Sequence, residues 1–347
     1  MFLERIAKKM VRIWLPSKAN KCAKVRASSL HLSADSGEKK ASRGSRSLAR
    51  IITQPLSIRT LLFAVQVFEK GRRFMVTDND QYTVLVPSTD GYSDLWKPFL
   101  YYLDKSWNWR TSTLLLGSNL IRKDLPAATV CAVGTSNYWG EHFLKLLDLV
   151  ETDTVLVVMP DFFLTQKVER QKFDYYLELF QKTQLKCLAL VPRSIHSRSQ
   201  EVYPGCKSIN LSGAYSLALE ISLWRVTALR EALRPNDSPW SFERSTRIAG
   251  EDPRNWCFAN EAVFHYIPTG ALIRGSWTRN SLRMLTSDGL QNCIGDRPIL
   301  SRRRSFVYSL RTLSFRIIAL VYPALVRKYN LHVNRVSGHA TNQKDLG

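Results

Sequence analysis

The stretch Thr154-Val-Leu-Val-Val-Met-Pro-Asp161-Phe-Phe-Leu164 decides the fold class of this chain of 347 residues. Its five consecutive apolar residues, 155–159, predict a strand buried on both faces, as in sheets that helices cover. Ligands of such sheets bind at the carboxyl ends of the strands, and Asp161 stands at this end. We therefore expect a helix-covered sheet with a ligand site beside Asp161.

Segments with strand and helix patterns alternate around this stretch. Further strands are predicted at 81–87, 112–119, 129–134 and 186–192. Helices are predicted at 55–74, 95–107, 140–149 and 166–183. This alternation indicates an α/β fold, a Rossmann-type mixed sheet that is mostly parallel and flanked by helices.

The alternation stops after residue 192. Apolar residues then recur at helical spacing over 215–233 and predict one long helix: Leu217, Ile221, Trp224 and Ala228. A hairpin-like segment over 261–277 and a basic C-terminal helix follow.

The net charge of +21 is concentrated at the two ends of the chain. Residues 1–50 carry 13 Lys and Arg against 3 Asp and Glu, residues 297–347 carry 10 against 1, and the body between them carries 27 against 25. We predict a largely disordered basic tail with a short amphipathic helix at 1–50, a folded domain at 51–296, and a basic helix and tail at 297–347. Because the body is nearly neutral, no specific nucleic-acid partner is expected.

Both basic ends also carry apolar residues, a combination that fits an anionic membrane surface. Leu3, Ile6, Met10 and Ile13 share one helical face, and residues 303–329 mix aromatic, aliphatic and Arg side chains. Partner docking or fraying of the first segment and packing of the second on the body are the alternatives. No apolar run is long enough to span a membrane, and charges interrupt the N-terminal segment too often for a secretory signal. We expect a cytoplasmic protein, peripheral on the cytoplasmic face of the membrane.

Common enzyme signatures are missing from the sequence. The six Cys show no CxxC or His/Cys spacing, so neither a zinc site nor a disulfide framework is indicated. There is no Walker A, GxGxxG, GxSxG or HExxH motif, and the six His are scattered. A P-loop enzyme and a His-centred hydrolase are therefore unsupported.

Two predicted loops at strand ends carry acidic side chains. In the loop 87–94, Asp90 can accept hydrogen bonds from a base or ribose and Tyr92 can stack on the base; the alternative is a capped turn with a surface Tyr. Asp161 can hold a divalent cation, Mn²⁺ or Mg²⁺, that neutralises a leaving diphosphate. The alternative for Asp161 is a helix-capping or loop residue.

Two later segments carry further candidates. In Ser238-Pro-Trp-Ser-Phe-Glu243, a Glu held among aromatic residues suits a catalytic base, and Trp240 and Phe242 suit a platform for an acceptor sugar. The alternative is a loop pinned by buried aromatic residues with a solvated Glu. In Ala271-Leu-Ile-Arg-Gly-Ser-Trp277, Arg274 can reach a diphosphate, and the alternative is a hairpin end with an exposed Arg.

Taken in order, these segments resemble a bacterial family of GT-A-type glycosyltransferases of polysaccharide and lipopolysaccharide biosynthesis. The resemblance covers about residues 81–280 and rests on Thr83-Val-Leu-Val-Pro-Ser-Thr-Asp-Gly-Tyr-Ser-Asp-Leu-Trp96, Leu114-Leu-Leu-Gly-Ser-Asn119, Asn137-Tyr-Trp-Gly-Glu-His-Phe-Leu144, Val155 to Leu164, Leu217 to Glu243, and Ala271 to Trp277.

The resemblance implies a GT-A-like glycosyltransferase that uses a nucleotide-diphospho-sugar donor and a glycan or lipid-linked acceptor. It places Asp90 and Trp139 near the nucleotide, Asp161 near a divalent metal or the diphosphate, and Glu243 near the acceptor. The chain departs from the family pattern at Pro160, where relatives show an acidic residue, and also at His142 and Glu220. A catalytically degenerate relative that binds a nucleotide or glycan, or scaffolds a synthesis complex, is the alternative.

Overall fold

The computed structural model describes residues 81–193, 199–211, 215–245, 248, 250–308 and 310. The chain divides into two compact units, Met1–Val76 and Thr77–Gly347, and the described residues belong to the second. The predictions for the tail and helix within 1–50, for a helix at 55–74 and for the chain after residue 310 lie outside the described residues.

The described residues form a sheet of nine strands: β1 Thr83–Val86, β2 Leu114–Ser118, β3 Thr129–Ala132, β4 Thr154–Val157, β5 Cys187–Ala189, β6 Glu201–Tyr203, β7 Cys206–Ser208, β8 Ser222–Arg225 and β9 Trp256–Ala259. Their order across the sheet is β3-β2-β1-β4-β8-β5-β9-β7-β6. Strands β1 to β4 pair in parallel, β8 runs antiparallel between β4 and β5, and β5 is parallel to β9. A separate hairpin joins β10 Leu272–Ile273 to β11 Ser276–Trp277.

Helices cover both faces of this sheet. They are α1 Ser93–Ser106, α2 Trp139–Leu147, α3 Arg170–Lys182, α4 Val226–Ala232, α5 Pro239–Glu243 and α6 Arg279–Ser287. Buried residues of α1, α3 and α6 share one core, and those of α2, α4 and α5 share the other. The predicted class, an α/β mixed sheet flanked by helices, is therefore confirmed. The sheet is not mostly parallel as expected, since four of its eight strand pairs are antiparallel.

Alternation along the central strands explains why two cores form. In β1, Val84 and Val86 enter the first core and Leu85 the second. In β4, Leu156 enters the first core and its two neighbours enter the second. A strand with an apolar side chain on each face is stable only between two helical layers, as the run 155–159 predicts.

The predicted long helix over 215–233 is wrong. Residues 222–225 form the strand β8, and helix α4 begins only at Val226. Leu223 and Trp224 point into opposite cores, so this segment is a fully buried strand. Because such a strand is apolar on both faces, its residues also satisfy a helical spacing by chance.

The predicted hairpin-like segment over 261–277 is shorter than expected, since pairing is confined to Leu272–Trp277. Residues 302–308 are helical, and Phe306, Val307 and Leu310 are exposed by 68%, 40% and 52%. Within the described part of the chain, no helix combines the length and apolar character needed to cross a membrane.

Candidate active site at the carboxyl edge of the sheet

Loops from five central strands meet at one edge of the sheet. The parallel strands β1, β2, β4 and β5 end there, and the antiparallel β8 begins there. This topology brings together side chains that are far apart in the sequence: Asp90, Asn119, Asp161, Arg193 and Glu220. In open α/β sheets this edge is where ligands bind.

Asp90 lies in the loop after β1 and is held by donors of the loop after β2. Its Oδ1 accepts from Ser118 Oγ at 2.6 Å and from the backbone N–H of Asn119 at 2.8 Å. The N–H of Leu120 reaches Oδ2 at 3.0 Å. Burial acts to raise the pKa of Asp90, but these hydrogen bonds outweigh it and hold the pKa below its usual value. The carboxylate therefore joins two loops, which is a structural role whether or not a nucleotide binds there.

His142, which the sequence marks only as a departure from the family pattern, pins the same two loops. Its Nε2 lies 2.8 Å from the carbonyl oxygen of Ser88, and its Nδ1 lies 3.5 Å from Nδ2 of Asn119. Burial lowers the pKa of His142, so the ring is neutral and donates from Nε2 to the carbonyl. Trp96 Nε1 adds a bond to Ser88 Oγ at 2.8 Å.

Arg297 fastens the loop that carries Tyr92, and sequence reasoning missed it because it opens the predicted basic tail. Its Nε and Nη2 each lie 2.7 Å from a carboxylate oxygen of Asp94. Its Nη2 also donates to the carbonyl of Gly91 at 2.7 Å, and its guanidinium lies 5.5 Å from the Tyr92 ring centre. Tyr92 is 41% exposed, so its outer face is available to a base.

Arg274 lies at the tip of the β10–β11 hairpin. Arg274 and Gly275 have positive φ angles of 49° and 72°, as a two-residue turn matched to the twist of a hairpin requires. The Gly275 carbonyl accepts from Arg297 Nη1 at 3.3 Å, which ties this turn to the loop of Tyr92. Arg274 is exposed, and its contact with a diphosphate stays a prediction.

Asp161 lies beyond the end of β4 in a partly buried position. Its carbonyl accepts from the N–H of Ala271 at 2.7 Å. A Cβ on Gly270 would lie 2.3 Å from Asp161 Oδ2, and Gly270 has a φ of +73°, so a larger residue there would be strained and would displace the carboxylate. Burial raises the pKa of Asp161 to about 6, with only its own N–H acting to lower it.

A buried ion pair lies at the same edge between β5 and β8. Arg193, with 3% of its side chain exposed, bonds from Nε to Glu220 Oε2 at 2.6 Å and from Nη1 to the carbonyl of Ser216 at 2.8 Å. The sequence gives no local sign of this pair, because 27 residues separate its members.

Glu243 ends helix α5 close to this ion pair. Its Oε1 accepts from the N–H of Leu219 at 2.9 Å. Burial, and next the charge of Glu220, raise the pKa of Glu243 to about 7, although Arg193 and the hydrogen bond from Leu219 act against this. A carboxyl group with a pKa near neutrality exchanges its proton readily, as a general base must.

Helix α5 presents its two aromatic residues to different surroundings. Its start is fixed by a capping box between Ser238 and Ser241. Trp240 is 64% exposed and available to a ligand. Phe242 is fully buried, with ring centres 6.0 Å from Trp139 and 6.4 Å from Trp224. Because Phe242 has no free face, its predicted place in an acceptor platform is corrected to a place in the core.

Trp139 is the first residue of helix α2, and backbone N–H groups at this helix terminus are already hydrogen-bonded within the protein. The N–H groups of Gly140 and Glu141 donate to the carbonyls of Asp237 and Pro235 at 2.9 and 2.8 Å. These two donors are therefore not available to a phosphate. Trp139 itself packs between Phe143 and Phe242, and its predicted contact with a nucleotide remains untested.

The divalent cation that the sequence predicts at Asp161 stays a prediction. No cluster of three or more His, Cys, Asp or Glu side chains converges on one point in this part of the chain. Pro160 supplies no donor side chain, so Asp161 is the one local carboxylate.

Comparisons with known proteins show likeness at the level of fold. No protein-family model matches the chain, and no curated protein sequence matches it. One similar solved structure is S. aureus TarS 1–349, with a TM-score of 0.37 and 12% identity over 55% of this chain and 61% of that one. A second is CMP:2-keto-3-deoxy-manno-octonic acid synthetase complexed with CTP, with a TM-score of 0.37 and 11% identity over 61% of this chain and 100% of that one. A third is galactosyltransferase LgtC with donor and acceptor sugar analogs, with a TM-score of 0.29 and 12% identity over 63% of this chain and 84% of that one. The chain spans 61% and 37% of the two TarS structures. Similarity at this level concerns the fold and does not identify an activity or a substrate.

Proposed function

We propose that the carboxyl edge of the sheet transfers a sugar from a nucleotide-diphospho-sugar to a hydroxyl group of a glycan or lipid-linked acceptor. The observation that supports this most is Glu243, a buried carboxyl group with a pKa of about 7 at the edge where α/β sheets bind ligands. The ordered resemblance to GT-A-type glycosyltransferases supplies the choice of donor.

In this proposal Glu243 takes the proton of the acceptor hydroxyl while the acceptor oxygen attacks the anomeric carbon of the donor. The bond between that carbon and the diphosphate oxygen breaks, and the nucleoside diphosphate leaves with the bonding electrons. The hydrogen bond from Leu219 holds Oε1, which leaves Oε2 to receive the proton. Glu220 is not assigned this role, because its Oε2 is bound to Arg193 at 2.6 Å.

The remaining predicted site residues have places in the same scheme. The loop of Asp90 and Tyr92 receives the nucleotide, with Tyr92 stacking on the base and Arg297 supporting it from one side. Trp139 stays a candidate neighbour of the nucleotide, and Arg274 a candidate contact of the diphosphate. Asp161 positions the donor, and the exposed face of Trp240 receives the acceptor sugar.

Thermal shift measurements test the nucleotide site directly. UDP, GDP, CMP and dTDP are added to the full chain, each with Mn²⁺, Mg²⁺ or EDTA. Because a ligand that binds the native state raises its stability, one nucleotide should raise Tm by several degrees when it exceeds its Kd about 100-fold. No shift with any of them would favour the degenerate scaffold, the alternative that Pro160 suggests.

Glu243→Gln tests the base. The amide keeps an oxygen for the Leu219 N–H but cannot accept a proton, so transfer should fall by about 10²–10⁴-fold. The Tm shift with nucleotide should stay as in the wild type. Glu231→Gln, on the exposed face of α4, is the matched control and should leave both quantities unchanged. Transfer retained by Glu243→Gln would remove Glu243 from the base role.

We also propose that the basic C-terminal segment attaches the protein to the cytoplasmic face of the membrane. Residues 302–308 combine three Arg with the exposed Phe306 and Val307, and Leu310 extends the same apolar stripe. Sedimentation with anionic vesicles should exceed that with zwitterionic vesicles, and Phe306→Ser with Leu310→Ser should lower it several-fold. Leu120→Ser, which changes an exposed apolar residue in the loop after β2, is the control. Equal binding to both kinds of vesicle would argue against this attachment.

A further inference from the structure

Tyr266 is fixed against the segment that follows Asp161. Leu164 and Tyr266 form an antiparallel bridge, and the N–H of Thr165 donates to the carbonyl of His265 at 2.7 Å. The ring of Tyr266 stacks on Phe162, with 4.3 Å between ring centres and 15° between the planes. The phenol is therefore held in one orientation without the help of its hydroxyl group.

Four charged groups of the candidate active site act electrostatically on this phenol. Asp161, Glu220, Glu243 and Arg193 all lie within electrostatic range of Tyr266. Burial first, and then the carboxylates, raise the pKa of Tyr266 well above its ordinary value, so the hydroxyl keeps its proton. Tyr266 is thus within electrostatic range of both Asp161, on the proposed donor side, and Glu243, on the proposed acceptor side.

The Tyr266 hydroxyl has an unused hydrogen-bonding capacity. None of the described residues forms a hydrogen bond with it, although a largely buried tyrosine normally has a partner. Unlike the buried, unpaired hydroxyl of Tyr102, the Tyr266 hydroxyl is not sealed from solvent, so a ligand has access to it. A hydroxyl that is fixed, protonated and without a protein partner is suited to donate to a substrate.

The charges around Tyr266 favour a neutral substrate group over a phosphate as the partner of its hydroxyl. Three carboxyl groups and one guanidinium make a poor environment for a phosphate, because like charges repel at short range. A neutral sugar hydroxyl carries no such penalty, and an aromatic face also suits the apolar side of a sugar ring.

We infer that Tyr266 is a substrate-contacting residue whose hydroxyl donates a hydrogen bond to a hydroxyl oxygen of the transferred sugar. This inference rests on the proposed function and adds a contact that is specific for the sugar. It assigns sugar recognition to Tyr266, beside the segment that follows Asp161.

Tyr266→Phe tests this, since it removes one oxygen and keeps the stack on Phe162. We expect kcat/KM for transfer to fall by about 10- to 100-fold, with Tm unchanged. The added Tm shift of the sugar nucleotide over the bare nucleoside diphosphate should shrink, while the shift with the bare diphosphate stays. Tyr175→Phe, whose hydroxyl bonds to the carbonyl of Pro204 at the surface, is the matched control.

The outcomes separate this inference from the function on which it rests. If the wild type responds to no nucleotide and transfers no sugar, the proposed function fails and the inference falls with it. If the wild type binds and transfers but Tyr266→Phe matches it in kcat/KM and in the added shift, the inference alone is overturned. A loss of Tm in Tyr266→Phe with no separate change for the sugar would also overturn it, since that pattern marks a structural role.

Discussion

Asp90 and Asp161 follow neighbouring parallel strands at the same edge of the sheet, yet their surroundings differ in kind. Asp90 accepts hydrogen bonds from one side chain and several backbone N–H groups of the loop after β2. Asp161 has its own N–H and a close-packed Gly270. The pKa of the first is lowered, and that of the second is raised to about 6.

This difference distinguishes a carboxylate that stabilises the fold from one that is available to bind a ligand. A group whose donors all come from the protein stabilises the folded state in its charged form. A group that is buried without donors costs free energy when charged and gains a partner only from a ligand. Asp161 belongs to the second kind. Glu243 is also buried with a raised pKa, although it keeps one donor, the N–H of Leu219. The sequence predicts both as site residues.

Asp90→Asn should have the largest effect on the free energy of unfolding. The new amide keeps one oxygen, but its NH₂ group must face the backbone N–H groups that now bond to the carboxylate. We expect the free energy of unfolding at pH 7 to fall by about 2 kcal/mol, measured by urea denaturation. The wild-type advantage should shrink as the pH falls below the ordinary value of 3.8, because the folded-state pKa is depressed.

Asp104→Asn is the matched control for this prediction. Asp104 is exposed and pairs loosely with Arg110 at 3.6 Å, so its change should stay within about 0.5 kcal/mol. Equal effects at both positions would mean that the hydrogen bonds to Asp90 add no stability, and the proposed structural role would be wrong.

Much of the fold was predictable because its central strands are short apolar runs. Val84 to Val86, Leu114 to Leu116 and Val155 to Val157 are buried on both sides, and their composition alone predicts this. The strand β8 was mistaken for a helix since its apolar neighbours fit either period. What fixes it as a strand is pairing with β4 and β5, which no local window contains.

The candidate site was predictable only where a residue stands next to a strand or a distinctive local pattern. Asp161 follows an apolar run and Glu243 ends an aromatic-rich segment, so both could be named. Arg193, Tyr266 and Arg297 have no such pattern, because their roles arise from contacts with residues remote in sequence. Phe242 was misplaced, since sequence does not show which aromatic residue of α5 faces the core.

Asp161→Asn should change the free energy of unfolding by a smaller amount than Asp90→Asn and in the opposite direction. The raised pKa means that the folded state binds a proton more tightly than the unfolded state, so wild-type stability falls as the pH rises from about 4 through about 6. The amide stays neutral and avoids this loss. We expect the variant to be more stable than the wild type by about 1 kcal/mol at pH 8, a value discounted for partial exposure, and equal to it near pH 4.

Urea denaturation at pH 5, 6.5 and 8 measures this trend, with the exposed Asp153→Asn as the control that should show no trend. The Tm shift with nucleotide is recorded on the same samples, because a charged residue that destabilises the folded state is expected to contribute to donor binding instead. If Asp161→Asn is instead less stable at pH 8, its carboxylate has a stabilising partner, as Asp90 has. The contrast between the two strand ends would then disappear, and with it the reason for placing the donor at Asp161.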